Sequence, residues 1–470
     1  MLSNFKKLLE KYSLPLVLIF SFLVRIISLN QSFWLDEATT AQVTKNFSLI
    51  EIITKFSPGD FHPPFYYLAS KVWSIPFGIN EISLKMFSVI FGTLTVFLVY
   101  KIAEEIKGKN FGILTALLLA TSPLHIYYSQ EARMYALQTF FIVLSVFLYQ
   151  KLLKKDSLKN WFFFALSFLL IGFTDYLPLL IISVFFVHSI LIKKEIKWFK
   201  KLLFSILPFL INFVFFLPIF KKQLSGGLSV SINNANWWKV LGIFSVKELL
   251  LIPLKFITGR ISITNYLFYF PIIIPYLIVF SLLVINLKKN KEKILIPLLW
   301  FLIPLALTIL LSFRVSVLSY FRLLFILPGF YLLLVFSMDS FKKSLKKSSF
   351  IIFLILNMIF SSIYLFNPRF HRENWREMVT FIEQSSPEDN AVTLFVSDSQ
   401  MEAYNYYSIG QVKAIAPGQL EAKFKTVWLM RYVQDLFDPE DKVRIELESL
   451  GYIKSKEYDF NGVVVIRYDK

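Results

Sequence analysis

Through most of the chain, apolar residues come in unbroken runs, not in the alternating or three-to-four spacing of a half-buried strand or helix. A helix crossing a bilayer needs roughly 20 such residues, because its backbone must bond to itself across about 30 Å of hydrocarbon. Eleven runs fit, near 14–30, 82–100, 110–125, 134–150, 161–175, 177–192, 202–220, 267–287, 294–311, 321–338 and 349–366. The third is short, and Pro123 ends or kinks it. Lysines 6, 7 and 11 ahead of the first run would suit a secretory leader. The run is long, however, and no small-residue cleavage site follows, so an anchor is expected. From Asn367 onward charged residues become common. Short β-rich runs (Val392–Val396, Thr426–Met430, Gly462–Arg467) there alternate with helical stretches near 373–385 and 439–450. The expected fold is mainly α: a polytopic membrane helical bundle of about eleven spans over 1–366, with a small C-terminal extracytoplasmic α/β domain over 367–470.

Composition supports a membrane chain. Of 470 residues, 56% are hydrophobic and only 17% charged, where globular proteins carry about a quarter. Cysteine is absent, which excludes a disulfide scaffold and a cysteine-ligated metal domain. The formal charge of +18 does not point to nucleic acid, because the basic residues stand in short clusters between apolar runs. With a cytoplasmic N-terminus, the inner segments are 1–13, 101–110, 151–160, 193–201, 288–293 and 340–348. They carry 23 lysines and no arginine, as the positive-inside rule requires. Loops 31–81, 126–133, 221–266 and 312–320, and the tail, then face outwards from the plasma membrane.

All eleven arginines fall in or beyond the outer half of this arrangement, at 25, 133, 260, 314 and 322 and six times in the tail. A guanidinium is a flat, permanently charged fork suited to phosphate. Arg25, in the outer part of the first run, is costly unless it faces protein or a wet cavity. The first outer loop opens Trp34-Leu35-Asp36-Glu37-Ala38 and continues Asp60-Phe61-His62-Pro63-Pro64. The second reads Tyr128-Ser129-Gln130-Glu131-Ala132-Arg133-Met134-Tyr135. On a helix Glu131 and Tyr135 would share a face, with Arg133 pointing elsewhere. Polar groups packed so densely at a membrane mouth suggest a site. Gly226-Gly227 and Trp237-Trp238 in the third loop either shield that site or lie along the interface.

In this order these motifs resemble the bacterial and archaeal relatives of the protein O-mannosyltransferases, which share the GT-C superfamily with the lipid A aminoarabinose transferases. Phe321-Arg322-Leu323 with Pro328 is similar to a later Arg-Tyr-Leu…Pro motif of these enzymes, and Asn374-Trp375-Arg376 to the Trp-Arg that opens their tail domain. The chain departs from the family pattern at Lys85 (often Arg), at Thr174-Asp175-Tyr176 (often Thr-His-Tyr) and at Leu323 (usually Tyr). These positions bear on the donor sugar and not on the reaction class.

The resemblance implies inverting transfer of a sugar from a polyprenyl-phosphate donor to a hydroxyl acceptor (protein, lipid or glycan) at the outer face. Asp36 is then the candidate general base and Glu37 its orienter or an acceptor ligand. Arg133 and Arg322, followed by Arg25 and Lys85, are candidates to hold the donor phosphate as it leaves. His62, Glu131, Tyr135 and Asp175 are candidate substrate contacts. The donor carries one phosphate, so no divalent metal or other cofactor is demanded, and the chain has no Asp-x-Asp, P-loop or GxGxxG motif. The competing class is a polytopic lipid or glycan transporter. It would place charges along a midplane path in repeated halves, whereas here they gather at one face and no repeat is visible.

Overall fold

A computed structural model describes residues 2–233, 242, 244–263, 267, 269–281, 291–386, 390–421 and 423–470. Each apolar run coincides with a helix wherever it is described. Among the described residues, five helices are long and apolar enough to cross a membrane: Glu81–Lys107, Tyr135–Lys154, Ile196–Gly227, Glu292–Ser312 and Lys343–Phe366. A sixth candidate is the pair Lys109–Ala120 and Pro123–Ser129, bent by 64° at the break the proline forces. Ser122 caps the second piece by accepting the His125 N–H. Shorter apolar helices cover Tyr12–Ile26, Leu158–Thr174, Leu177–Ile192, Tyr269–Ser281 and Leu324–Met338. The protein is thus a helical membrane protein.

Three segments expected as loops carry helices instead, the first of them 31–81, with helices Leu35–Asn46 and Phe65–Phe77. The third loop was expected to begin at 221, yet helix Ile196–Asn233 runs straight through Gly226-Gly227. Trp237-Trp238 lie outside the described residues. The first half of the second loop belongs to the buried helix Pro123–Ser129, and chain without regular structure is confined to 130–134.

Helix Glu81–Lys107 is the central strut, packing against Lys109–Ala120 and Tyr135–Lys154. Its Gly92 allows a close crossing, since a Cβ there would stand 2.2 Å from Ser129 Oγ and 3.3 Å from Arg25 Nε. Gly172 does the same against Phe209, at 2.2 Å.

The tail forms a five-stranded sheet ordered β2-β1-β3-β5-β4. Strands β1 (Ala391–Leu394), β2 (Lys413–Ile415) and β3 (Thr426–Met430) are parallel; β5 (Val463–Asp469) runs antiparallel to β3 and to β4 (Ile453–Phe460). Pattern reading anticipates β1, β3 and β5 but not β2, with three residues, or β4. The latter is an exposed edge whose Lys454 and Lys456 discourage further pairing. Helix Trp375–Gln384 buries Trp375, Met378, Val379 and Ile382, an i, i+3, i+4, i+7 stripe. That stripe does not close a separate core. Phe33, Ala38, Ala41, Leu84 and Ala132 belong to the same buried cluster, so the tail shares its core with the segments that emerge from the membrane helices.

Gly92→Val is expected to push Ser129 and Arg25 apart and destabilise the fold by about 1–3 kcal/mol. Gly59→Val, where nothing lies within 4 Å, should leave the thermal midpoint unchanged. Thermal unfolding in detergent of both variants checks the contrast.

Candidate active site

The site forms where two chain segments are pinned together on the tail side of the bundle. Helix Leu35–Asn46 begins just after the first membrane helix, and Glu37 in its first turn is fully buried. Glu37 Oε1 accepts the Ala132 N–H at 2.7 Å, Oε2 accepts the Trp34 N–H at 3.3 Å, and Lys85 Nζ stands 3.6 Å away. Lys85 also donates to the Gln31 carbonyl at 2.8 Å. From the other segment, Gln130 Nε2 donates to the carbonyls of Arg25 and Ile27 at 2.9 and 2.6 Å. With 130–134 held this way, Arg133 Nη2 lies 3.5 Å from Asp36 Oδ2. The Asp36 side chain is 39% exposed and that of Arg133 only 4%, so a solvent-accessible carboxylate sits beside a buried guanidinium.

The other side of Arg133 meets a second acidic group. Arg133 Nη1 donates to the Tyr67 hydroxyl at 3.0 Å, and its charge reaches Asp60, whose Oδ1 is 3.8 Å from His62 Nδ1. Burial pushes the Asp60 carboxyl up, but His62 and Arg133 together hold it below the ordinary carboxylate value. Arg133 Nε, Asp60 Oδ2 and His62 Nδ1 are buried without a hydrogen-bond partner. Gln223 fixes this loop from helix Ile196–Asn233, donating to the carbonyls of Ser57 and His62 at 2.7 and 2.9 Å. Tyr176 donates to Gln223 at 2.5 Å, while the neighbouring Asp175 accepts the Leu177 N–H at 3.4 Å as a local cap.

Tyr135 stands between these groups and feels the charges of Arg133, Glu131, Asp36 and Arg322. Its ring packs edge-on against Tyr128 and Phe321, at 5.0 and 5.8 Å. Arg322 lies over Phe321 at 5.8 Å, has a buried Nε without a partner, and makes no ion pair among the described residues. Across the tyrosines, Arg260 donates to the Tyr127 hydroxyl at 2.6 Å and likewise makes no described ion pair. Arg372 enters from the tail, stacks on Trp34 at 3.8 Å, and pairs with Glu131, donating from Nε at 3.0 Å.

The nominated residues therefore separate into groups. Asp36, Arg133, Tyr135, Glu131 and Arg322 come together, with His62 on the far side of Arg133. Arg25 does not join them. It is fully buried and spends its guanidinium on Ser129 Oγ, the Ser21 hydroxyl and carbonyl, the Ala120 carbonyl and His125 Nδ1. Lys85 and Glu37 face each other inside the scaffold, and Asp175 caps a turn. Glu131 and Tyr135 share no helix face, because helix Pro123–Ser129 has ended and helix Tyr135–Lys154 only begins at Tyr135. Glu131 does pair with an arginine, but one 241 residues away. Sequence reading missed Asp60, although it stands within the quoted Asp60-Phe61-His62 run. It also missed Arg260, which was merely counted, and Arg372, which nothing local marks.

The path of the chain matches solved structures along almost its full length. ArnT from Cupriavidus metallidurans superposes with a TM-score of 0.57 at 12% identity, covering 96% of this chain and 97% of that one. A second structure of that protein, bound to undecaprenyl phosphate, gives 0.57 at 11%. The chain carries the fold of these structures. The same fold relates it to the Archaeoglobus fulgidus oligosaccharyltransferase AglB in complex with an inhibitory peptide and a dolichol-phosphate (TM-score 0.54, 11% identity, 97% of this chain and 74% of that one). The model of the dolichyl-phosphate-mannose-protein mannosyltransferase family matches residues 61–220, about a third of the chain. An uncharacterized protein of Aquifex aeolicus (strain VF5) is 27% identical over 285 residues, 58% of this chain. The match takes in 52% of that protein, so the chain spans about half the length of the curated relative it matches.

Burial drives the Glu37 carboxyl up to about 7, against the opposing charge of Lys85. Between its ordinary value and about 7 the folded protein keeps a proton that the unfolded chain has released. Stability from this group is therefore full in acid, falls as pH rises through that window, and is flat above it. Thermal midpoints measured from pH 5 to 8 should show this slope in the wild type and lose it in Glu37→Gln.

Proposed function

We propose that the protein transfers a sugar from a polyprenyl-phosphate donor to a hydroxyl acceptor at the outer membrane face. The observation carrying this reading is the partly exposed Asp36 carboxylate 3.5 Å from buried Arg133, with Arg322 and Arg260, which make no ion pair among the described residues, flanking the tyrosine cluster beside it. Asp36 takes the acceptor proton as the acceptor oxygen attacks the anomeric carbon from the face opposite the leaving group. The new C–O bond forms, the bond to the phosphate oxygen breaks, and its electron pair leaves with a polyprenyl phosphate. That leaving group needs positive charge and not a proton, which a low-dielectric arginine site supplies. Arg322 and Arg260 are assigned to it because their charge is not already spent. Arg133, between Asp36 and Asp60, orients the base. Glu37, Lys85 and Arg25 hold the frame, and His62, Glu131 and Tyr135 border the substrate.

The orientation that suits this chemistry puts the N-terminus in the cytoplasm, with the six lysine-bearing segments inside and residues 367–470 outside, packed on the segments that lead from the bundle. Undecaprenyl phosphate in one GT-C structure and dolichol-phosphate in another support a lipid-phosphate donor. No metal step is required.

Asp36→Asn should lower kcat for sugar transfer by about 10²–10⁴-fold, the usual worth of a general base, while donor binding persists. Transfer by purified Asp36→Asn at the wild-type rate would end the assignment. Arg260→Gln and Arg322→Gln should each weaken donor affinity by about 10–100-fold, as expected for losing one charge-assisted contact. Titration with polyprenyl phosphate alone measures this. Arg25→Lys should leave that affinity unchanged.

A further inference from the structure

Between the tail and the exit of the first membrane helix lies a cavity of about 840 Å³. The reaction described above does not use it. Its walls carry the amides of Gln31 and Gln384, the guanidinium groups of Arg369 and Arg376, and the partly exposed rings of Phe381 and Phe460. Arg372 also lines it, and its guanidinium stacks on Trp34, two residues before Asp36.

The lining selects one ligand chemistry. An anion is poorly matched, because Arg372 is already paired with Glu131 and Arg376 lies 3.4 Å from Glu81, which leaves Arg369 against the negative charge of Glu377 and Asp459 on the same wall. An apolar tail is excluded by the same polar groups, each of which would be desolvated without a partner. The amides of Gln31 and Gln384 offer donors and acceptors to adjacent hydroxyls, Arg369 adds a further set of donors, and the rings of Phe381 and Phe460 supply apolar surface suited to sugar C–H faces. The volume falls within the ~300–1,000 Å³ of small-molecule sites and exceeds what one sugar fills.

We infer that this crevice binds an oligosaccharide, the non-reacting sugars of a glycan acceptor whose terminal hydroxyl is delivered past Arg372 to Asp36. The inference rests on the transferase reading above but is tested separately from it.

The chain has no cysteine, so Thr380→Cys on the crevice wall is a single attachment point. Full-length protein in detergent is applied to an array of bacterial surface oligosaccharides, before and after a bulky maleimide is attached at this position. Gln384→Trp serves as a label-free version. The expected result is saturable binding of at least one oligosaccharide, weakened at least tenfold by the label and by Gln384→Trp. Release of polyprenyl phosphate into water from the lipid-linked donor should stay at the wild-type rate in both. Absence of any bound oligosaccharide, or equal affinity when the crevice is blocked, overturns the inference. Oligosaccharide binding lost on blocking, in a protein that never releases polyprenyl phosphate, supports the crevice and removes the transferase reading instead.

Discussion

A guanidinium buried as deeply as Arg133 cannot stand alone, because removing a charge from water costs several kcal/mol unless opposite charge and hydrogen bonds replace the solvent. Here the replacement comes from three directions: Asp36 at 3.5 Å, the Tyr67 hydroxyl at 3.0 Å, and the field of Asp60. These partners lie on separate helices and loops, so satisfying Arg133 fixes their relative positions. The fold therefore cannot bury this arginine without also setting a carboxylate at the mouth of the site.

The same constraint sorts the other cations. Arg25 and Lys85 are buried among carbonyls, hydroxyls and a carboxylate that use their donors, and what they accomplish is geometric. Arg25 ties the first membrane helix to the bent pair through Ala120, His125 and Ser129, and Lys85 ties the central strut to Gln31 and Glu37. Arg322 and Arg260 are different: with tyrosine rings and hydroxyls for neighbours and no described carboxylate partner, their charge is available to a ligand. The tail is part of this frame, since Arg372 reaches Glu131 and Trp34 and the tail's core continues into Phe33 and Ala132.

Much of the fold could be read from the chain, because the bilayer imposes a length and an apolarity that one-dimensional pattern reports directly. The kink at Pro123 and the change of character at Asn367 were equally local. The short β2, the exposed β4 and the helix continuing through Gly226-Gly227 were not, since pairing partners and packing decide them. Within the site, residue types drew attention to Asp36, Arg133 and Arg322. Sequence could not tell a cation that meets a ligand from one that meets carbonyls, so Arg25 and Lys85 stood beside Arg133 as equals. Nor could it reveal Arg372 as the partner of Glu131 across 241 residues. Asp60 was overshadowed by the histidine and prolines that follow it, and only its position behind Arg133 marks it.

The most direct test of the central claim is catalytic turnover of a lipid-linked donor by the purified protein in nanodiscs. Radiolabelled polyprenyl-phosphate sugar is supplied with a hydroxyl-rich acceptor extract, and free polyprenyl phosphate is quantified over time. Steady, protein-dependent release accompanied by label in the acceptor fraction is the predicted result. Intact donor throughout, with the lipid instead exchanging between leaflets when the protein sits in vesicles, would contradict the account and identify a transporter.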